Sequence, residues 1–431
     1  MDPAIITLCV LGVAAFLFIT ELIPLAVTAM AACTALGILG VLPSKAVYAG
    51  MSNSTVVLFG GMFVIGAAMF KTGLAEAIGV AVVKKAGTNE IPLMAAIMTV
   101  TIILSAVSSN TGTVACLMPV IIGICTVAKL PASKQLMPLA IAANVGGTIT
   151  MIGTPPNVIV TGALTTAGLP TFGFFEFAWI GIPLSLVITI YTLFIGRHMI
   201  AAKSAGAMDE EAIKAAKEEA GASDDDAPKS KTKMWISGLI LIGVVLCMAL
   251  DLKTVPLHTA AVTGAILCVV TGCLKEKEAY AGIDWVTIFL FAGMLSVASA
   301  MEKTGAGKLI ADTVVSMMGT NPNPYVLTAV LFLISNVLTQ FMSNTASAAL
   351  LAPIGISIAQ SIGADPKPVL MALGIAASCA FATPMATPPN TLVLGPGNFS
   401  FNDYAKVGVP MCVISLIVCL IVIPIVWPFG M

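Results

Sequence analysis

Ser109-Asn110-Thr111, followed further on by Gly153-Thr154-Pro155-Pro156-Asn157, decides the fold, because the pair returns as Ser343-Asn344-Thr345 and Ala386-Thr387-Pro388-Pro389-Asn390. Asn110 and Asn157 stand 47 residues apart, Asn344 and Asn390 46. Every one of these motifs is polar and helix-breaking, yet each lies inside hydrophobic sequence. Ser, Asn and Thr are strong helix N-caps, so each Ser-Asn-Thr is expected to open a half-helix. Two successive prolines remove two backbone donors and clash with the preceding turn. The second proline can then occupy the first turn of a new helix.

Working outward, the composition names the solvent. The chain has 431 residues, 58% hydrophobic and only 10% charged, where soluble domains carry about 25% charged residues. Such a chain cannot cover its surface with polar groups, so lipid must surround it. A net charge of −1 argues against a nucleic-acid partner. The first apolar run, Ala4 to Thr20, lacks a basic leader and a small-residue cleavage site, and reads as a permanent helix. The ten cysteines sit in apolar runs with no CxxC or Cys/His cluster, which suits packing rather than disulfides or zinc. HExxH and GxGD-type aspartate pairs are absent too, so the chain does not read as an enzyme.

The two halves match along most of their length. Pro24 pairs with Pro256, Gly61 with Gly293, and Lys71-Thr72-Gly73 with Lys303-Thr304-Gly305. Gly181-Ile182-Pro183 likewise pairs with Gly408-Val409-Pro410, and the offset stays between 227 and 234. This is a duplication. The expected domains are a first repeat over 1–200, a hydrophilic linker over 201–234 and a second repeat over 235–431. The stretch 201–233 holds 14 of the 41 charged residues and reads as a solvated, helical or disordered connection.

Each half offers five crossings. They lie near 3–19, 22–42, 54–70, 135–167 and 177–199, then near 235–251, 256–274, 285–301, 369–395 and 406–428. The segments 93–128 and 325–362 each carry the Asn-Thr break at mid-length. Arms of about 17 residues barely span a bilayer, which needs about 20, so re-entrant hairpins are expected. Five crossings is an odd number, so the second repeat is inverted. Lysine and arginine then divide 15 to 5 between the two sides. The richer side, with the linker, is cytoplasmic, and both termini lie outside. The fold class is therefore an all-α polytopic membrane protein of two inverted repeats, each with five crossings and a re-entrant hairpin.

Matched breaks in both halves bring four half-helix N-termini to mid-membrane, the pattern of a secondary transporter with its site between inverted repeats. Their free N–H groups and positive dipole ends suit an anion. Carbonyls left by the interrupted helices, with Ser, Thr and Asn oxygens, suit a small hard cation. Neither motif contains Lys or Arg, so a dianion would be balanced by dipoles and co-bound cations. Neither hairpin core contains Asp or Glu, which argues against a carboxylate proton relay.

These motifs, with Pro24-Leu25-Ala26-Val27-Thr28 and Ala377-Ser378-Cys379-Ala380-Phe381, resemble the divalent anion/sodium symporters, and the resemblance covers nearly the whole chain. It implies a homodimer whose protomers have a scaffold domain and an elevator-type transport domain holding the hairpins and broken helices. It implies one sodium site of Ser105, Ser109, Asn110 and the Gly153 backbone. A second would use Thr339, Asn344 and the backbones of Met342 and Ala386. Substrate would meet Asn110, Thr111 and Thr154 on one side and Asn344, Thr345 and Pro388 on the other. Met342 stands where relatives usually carry a small residue. The implied activity is sodium-coupled import of a small dianion, most readily a C4-dicarboxylate such as succinate, malate or fumarate, across the plasma membrane without an organic cofactor. Some relatives are sodium-independent dicarboxylate or tartrate exchangers, the alternative on the same scaffold.

Overall fold

The computed structural model describes residues 2–206, 210–219, 230–250, 254–318 and 323–430. Among them every regular element is helical, and both halves run through the same series. A pair of apolar helices opens each half, Pro3–Thr20 with Leu25–Ile38 and Lys231–Ala249 with Leu257–Val270. After a short helix comes a long apolar one, Ser54–Lys71 or Trp285–Thr304. Hairpin arms follow, Glu90–Ser105 with Asn110–Ala128 and Pro324–Leu338 with Asn344–Ser361. Next is the broken helix, Ser133–Gly146 with Pro155–Thr166 or Pro366–Ser378 with Pro388–Leu394. Each half closes on an apolar helix, starting at Ala178 and at Phe401. Seven of the described helices are long and apolar enough to cross a membrane.

Close backbone contacts at glycine hold the frame. A Cβ on Gly61 would lie 2.8 Å from the Ala261 carbonyl carbon, and one on Gly293 would lie 2.8 Å from that of Ala29. The third crossing of each half therefore packs directly on the second crossing of the other. Gly181 and Gly408 do the same for the breaks: a Cβ would come within 2.5 Å of the Thr148 carbonyl oxygen and 2.2 Å of the Phe381 oxygen. The closing helices thus lie against the unwound segments, which explains the matched glycines.

The structure departs from the reading in two places and adds contacts in a third. Two amphipathic helices, Leu74–Ala86 and Ala306–Met318, stand between the third crossing and the hairpin. The first carries Glu76, Lys84 and Lys85. The second half begins its helix at Lys231, ahead of the expected 235. The linker's described residues are mostly exposed and touch the body at a few points. Ser133 Oγ donates to Ala201 O at 2.7 Å, Gly206 N–H donates to Pro396 O at 2.8 Å, and Lys203 Nζ meets Asp403 at 2.8 Å. Helix Glu210–Glu219 packs on Asn110–Ala128 and buries Ile213, an apolar side chain hidden by its polar neighbours. Asp224–Asp226 and Asp251 lie outside the described residues.

On the far side, Glu176 clamps three segments. Its Oε1 takes Lys367 Nζ at 2.7 Å and Trp427 Nε1–H at 2.6 Å, and its Oε2 accepts from Gly173 N–H at 2.8 Å. Burial opposes the charged form, but these donors and the Lys367 charge outweigh it and hold the carboxyl below its usual range.

Candidate binding site

Ser109 and Ser343 each form the cap at a hairpin tip, in nearly the same backbone conformation (φ −58°, ψ 127°, and φ −55°, ψ 136°). Ser109 Oγ accepts from Gly112 N–H at 3.2 Å. Thr154 and Thr387 are extended caps, and the two prolines after each fill the first turn of the next helix. Each unwound segment is tied to the neighbouring hairpin by one threonine. Thr150 Oγ1 donates to Ala106 O, and Thr383 Oγ1 donates to Gln340 O at 2.7 Å.

The two tips and two breaks converge on one cavity of about 1030 Å³. All six residues expected to meet substrate line it: Asn110, Thr111, Thr154, Asn344, Thr345 and Pro388. Of the expected cation residues, Ser109, Asn110, Gly153, Met342, Asn344 and Ala386 line it as well. Ser105 and Thr339 lie behind the wall, fully buried. The opposite wall is apolar, with Phe59, Met62, Phe63 and Phe70. Among the described lining residues none is Lys, Arg or His, and the charged ones are Glu21 and Asp284. An anion here would be balanced by helix N-termini and bound cations.

The first expected cation set fits a small cation. Ser105 Oγ and Asn110 Oδ1 are buried and have no hydrogen-bond partner among the described residues. Buried oxygens without donors are costly, and a cation that accepts their lone pairs removes the cost. Gly147 leaves room beside them: a Cβ there would lie 2.8 Å from both Asn110 Nδ2 and Gly153 O. In the second set Thr339 Oγ1 contacts Asn344 Oδ1 at 2.5 Å and Ala377 O at 2.8 Å. Met342 is buried beside this tip, while Phe341 and Met385 are 66% exposed and line the cavity.

Sequence reasoning missed Gly147, Asn144, Ala377 and two amides, Asn336 and Gln340. Asn144 Nδ2 joins the two breaks, donating to Thr387 Oγ1 at 3.1 Å and Asn390 Oδ1 at 3.0 Å. Asn336 Nδ2 donates to Ala376 O and Cys379 O at 3.1 and 2.9 Å. The available signal was an Asn or Gln, or a Gly146-Gly147 pair, inside an otherwise apolar helix.

Apolar helices around a cavity edged by the tips of paired interrupted helices define a multi-pass membrane transporter. The chain belongs to the citrate transporter family CitMHS, whose profile matches residues 15–367 and 341–429. It is 25% identical to the uncharacterized transporter YfbS of Escherichia coli (strain K12), covering 98% of this chain and 99% of that one. It is 26% identical to the sodium-dependent dicarboxylate transporter SdcS of Staphylococcus saprophyticus, covering 94% and 83%. The fold resembles the crystal structure of the YdaH transporter of Alcanivorax borkumensis, with a TM-score of 0.66 at 15% identity over 100% of both chains.

Proposed function

We propose that this chain is a sodium-coupled importer of a small dianion, with C4-dicarboxylates as the leading class. The observation that carries the reading is the pair of buried oxygens of Ser105 and Asn110, partnerless among the described residues, beside a helix N-terminus at a cavity whose described lining has no basic side chain. The N-termini of Asn110–Ala128 and Asn344–Ser361 give an anion N–H donors and positive dipole ends, while Pro155–Thr166, which opens on two prolines, adds only its dipole. Ser105, Ser109, Asn110 and the Gly153 carbonyl would hold one sodium ion; Thr339, Asn344 and the Met342 and Ala386 carbonyls would hold the second. Asn110, Thr111, Thr154, Asn344, Thr345 and Pro388 would then contact the substrate carboxylates. SdcS, a relative along nearly the whole chain, is named for sodium-dependent dicarboxylate transport.

The proposed architecture is two inverted repeats, 1–200 and 235–431, joined by a cytoplasmic linker and assembled as a homodimer. The cavity lining includes Glu21, Ile213, Gly282, Asp284 and Pro396. The proposed topology puts these residues on the lysine-rich side, which supports reading the cavity as open inward. The hairpins and broken helices would move as a unit against the apolar wall in an elevator motion.

The test is radiolabelled succinate uptake into proteoliposomes with and without an inward sodium gradient, with no dicarboxylate inside. Sodium-dependent accumulation, abolished by Asn110→Ala and by Asn344→Ala, is expected. Uptake only into vesicles preloaded with dicarboxylate, whatever the sodium, would make the protein an exchanger.

A further inference from the structure

Three pairs of equivalent polar residues frame the two breaks, and in every pair the first-half member is unsatisfied. Ser105 Oγ, Asn110 Oδ1 and Asn157 Oδ1 are buried with no hydrogen-bond partner among the described residues. Their counterparts are Thr339, Asn344 and Asn390. Thr339 Oγ1 donates towards Asn344 Oδ1 and Ala377 O, and Asn390 Oδ1 accepts from Asn144 Nδ2. One turn beyond the tips the order reverses: Ser347 Oγ has no partner among the described residues, while its counterpart Thr113 donates to Ser109 O at 2.9 Å.

The imbalance has a source in the sequence. Asn336 and Gln340 correspond to Ile102 and Ala106 in the first half. Asn336 Nδ2 holds the carbonyls of Ala376 and Cys379. Gln340 Oε1 accepts from Ala382 N–H at 2.9 Å, and its Nε2 reaches Asn336 O at 3.0 Å. The second unwound segment is thus stapled to its hairpin by side-chain amides, and Ile102 and Ala106 have no amide to offer the first. Ala380 stands where the first half has Gly147, so the second break also lacks that cradle.

We propose that Asn336 and Gln340 are positioning residues that preorganise the second break, so that sodium orders the first break and finds the second already formed. This rests on the sodium-coupled reading above. The two cation sites are consequently unequal: the first gains structure from the ion, and the second is shaped in advance by the protein.

Hydrogen exchange of the full-length protein reads this directly, in sodium chloride against choline chloride at equal ionic strength and without substrate. At sodium ten times its dissociation constant, linkage gives about tenfold slower exchange where the ion completes the structure. That slowing is expected in peptides covering 147–154, with less than about a twofold change over 380–387. In Asn336→Ile/Gln340→Ala, which copies the first-half residues, 380–387 should become sodium-responsive; single Gln340→Ala gives the same direction if the double variant is unstable. Equal slowing at both wild-type breaks, or slowing only at the second, overturns the inference and leaves sodium coupling standing. No sodium effect at either break overturns both.

Discussion

Asn157 and Asn390, one in each half, make the same two hydrogen bonds to the chain behind them. Asn157 Nδ2 donates to the carbonyls ten and seven residues back, Gly147 and Thr150, at 3.3 and 2.8 Å. Asn390 Nδ2 donates to those of Ala380 and Thr383, also ten and seven residues back, at 3.0 and 2.9 Å. One amide thereby closes each unwound loop on the helix that follows it. Carbonyls that lose helical partners at the break would otherwise be buried unpaired.

Replacing either asparagine with alanine leaves two buried carbonyls without this donor, at about 1–3 kcal/mol each. Asn390→Ala is expected to lower the melting temperature in detergent more than Asn157→Ala. Asn390 also accepts from Asn144, and that partner is lost with it. Equal melting of both variants and wild type, followed by intrinsic fluorescence, would show that the loops hold their shape without the amides.

Gly147→Ala inserts a methyl group 2.8 Å from Asn110 Nδ2 and Gly153 O. The expected outcome is a sodium half-saturation raised by about tenfold or more, equivalent to about 1.4 kcal/mol of lost binding, with expression retained. Gly123→Ala, in a helix position with nothing within 4 Å, is the matched control and should titrate like wild type. A normal sodium curve for Gly147→Ala would remove the cradle from the cation site.

The crossings at Gly61 and Gly293 leave no room for a side chain, since a Cβ would lie 2.8 Å from the facing backbone carbon. Gly61→Val and Gly293→Val should each destabilise by about 1–3 kcal/mol through overpacking, with matching losses because the contacts are equivalent. Size-exclusion profile and melting temperature of the purified variants check this. An effect confined to one of them would mean that one crossing relaxes and the other does not.

Glu176 has a carboxyl held below its usual range, so the folded state binds its proton less readily than the unfolded chain. Its contribution is complete above the ordinary carboxylate pKa of about 4.3 and is lost as the pH falls through the depressed folded value. Wild type should therefore melt above Glu176→Gln near pH 7, with the gap narrowing below about pH 4. A pH-independent gap would mean that the side chain acts by shape and hydrogen bonding alone.

Periodic apolar runs and Pro-Pro breaks are local properties, so the membrane class, the hairpins, the broken helices and the tip residues Asn110 and Asn344 were legible in the sequence. Residues outside the motifs were harder to read. Ile213 was hidden because one apolar residue among Glu and Lys carries no periodic signal, and its burial depends on helix Asn110–Ala128 lying beneath it. Gly147 and Asn336 act through segments brought alongside only by folding, so no spacing along the chain announces them.

The sequence by itself determined that this chain lives in lipid, that it is a duplication, and where its helices must break, because hydrophobicity and proline act within a turn or two of themselves. Only the tertiary structure decided which oxygens are satisfied. Ser105 and Thr339 occupy equivalent positions with hydroxyl oxygens, yet among the described residues one has no partner and the other is bonded to Asn344 and Ala377. Hydrogen-bond satisfaction depends on what another part of the chain brings within about 3 Å.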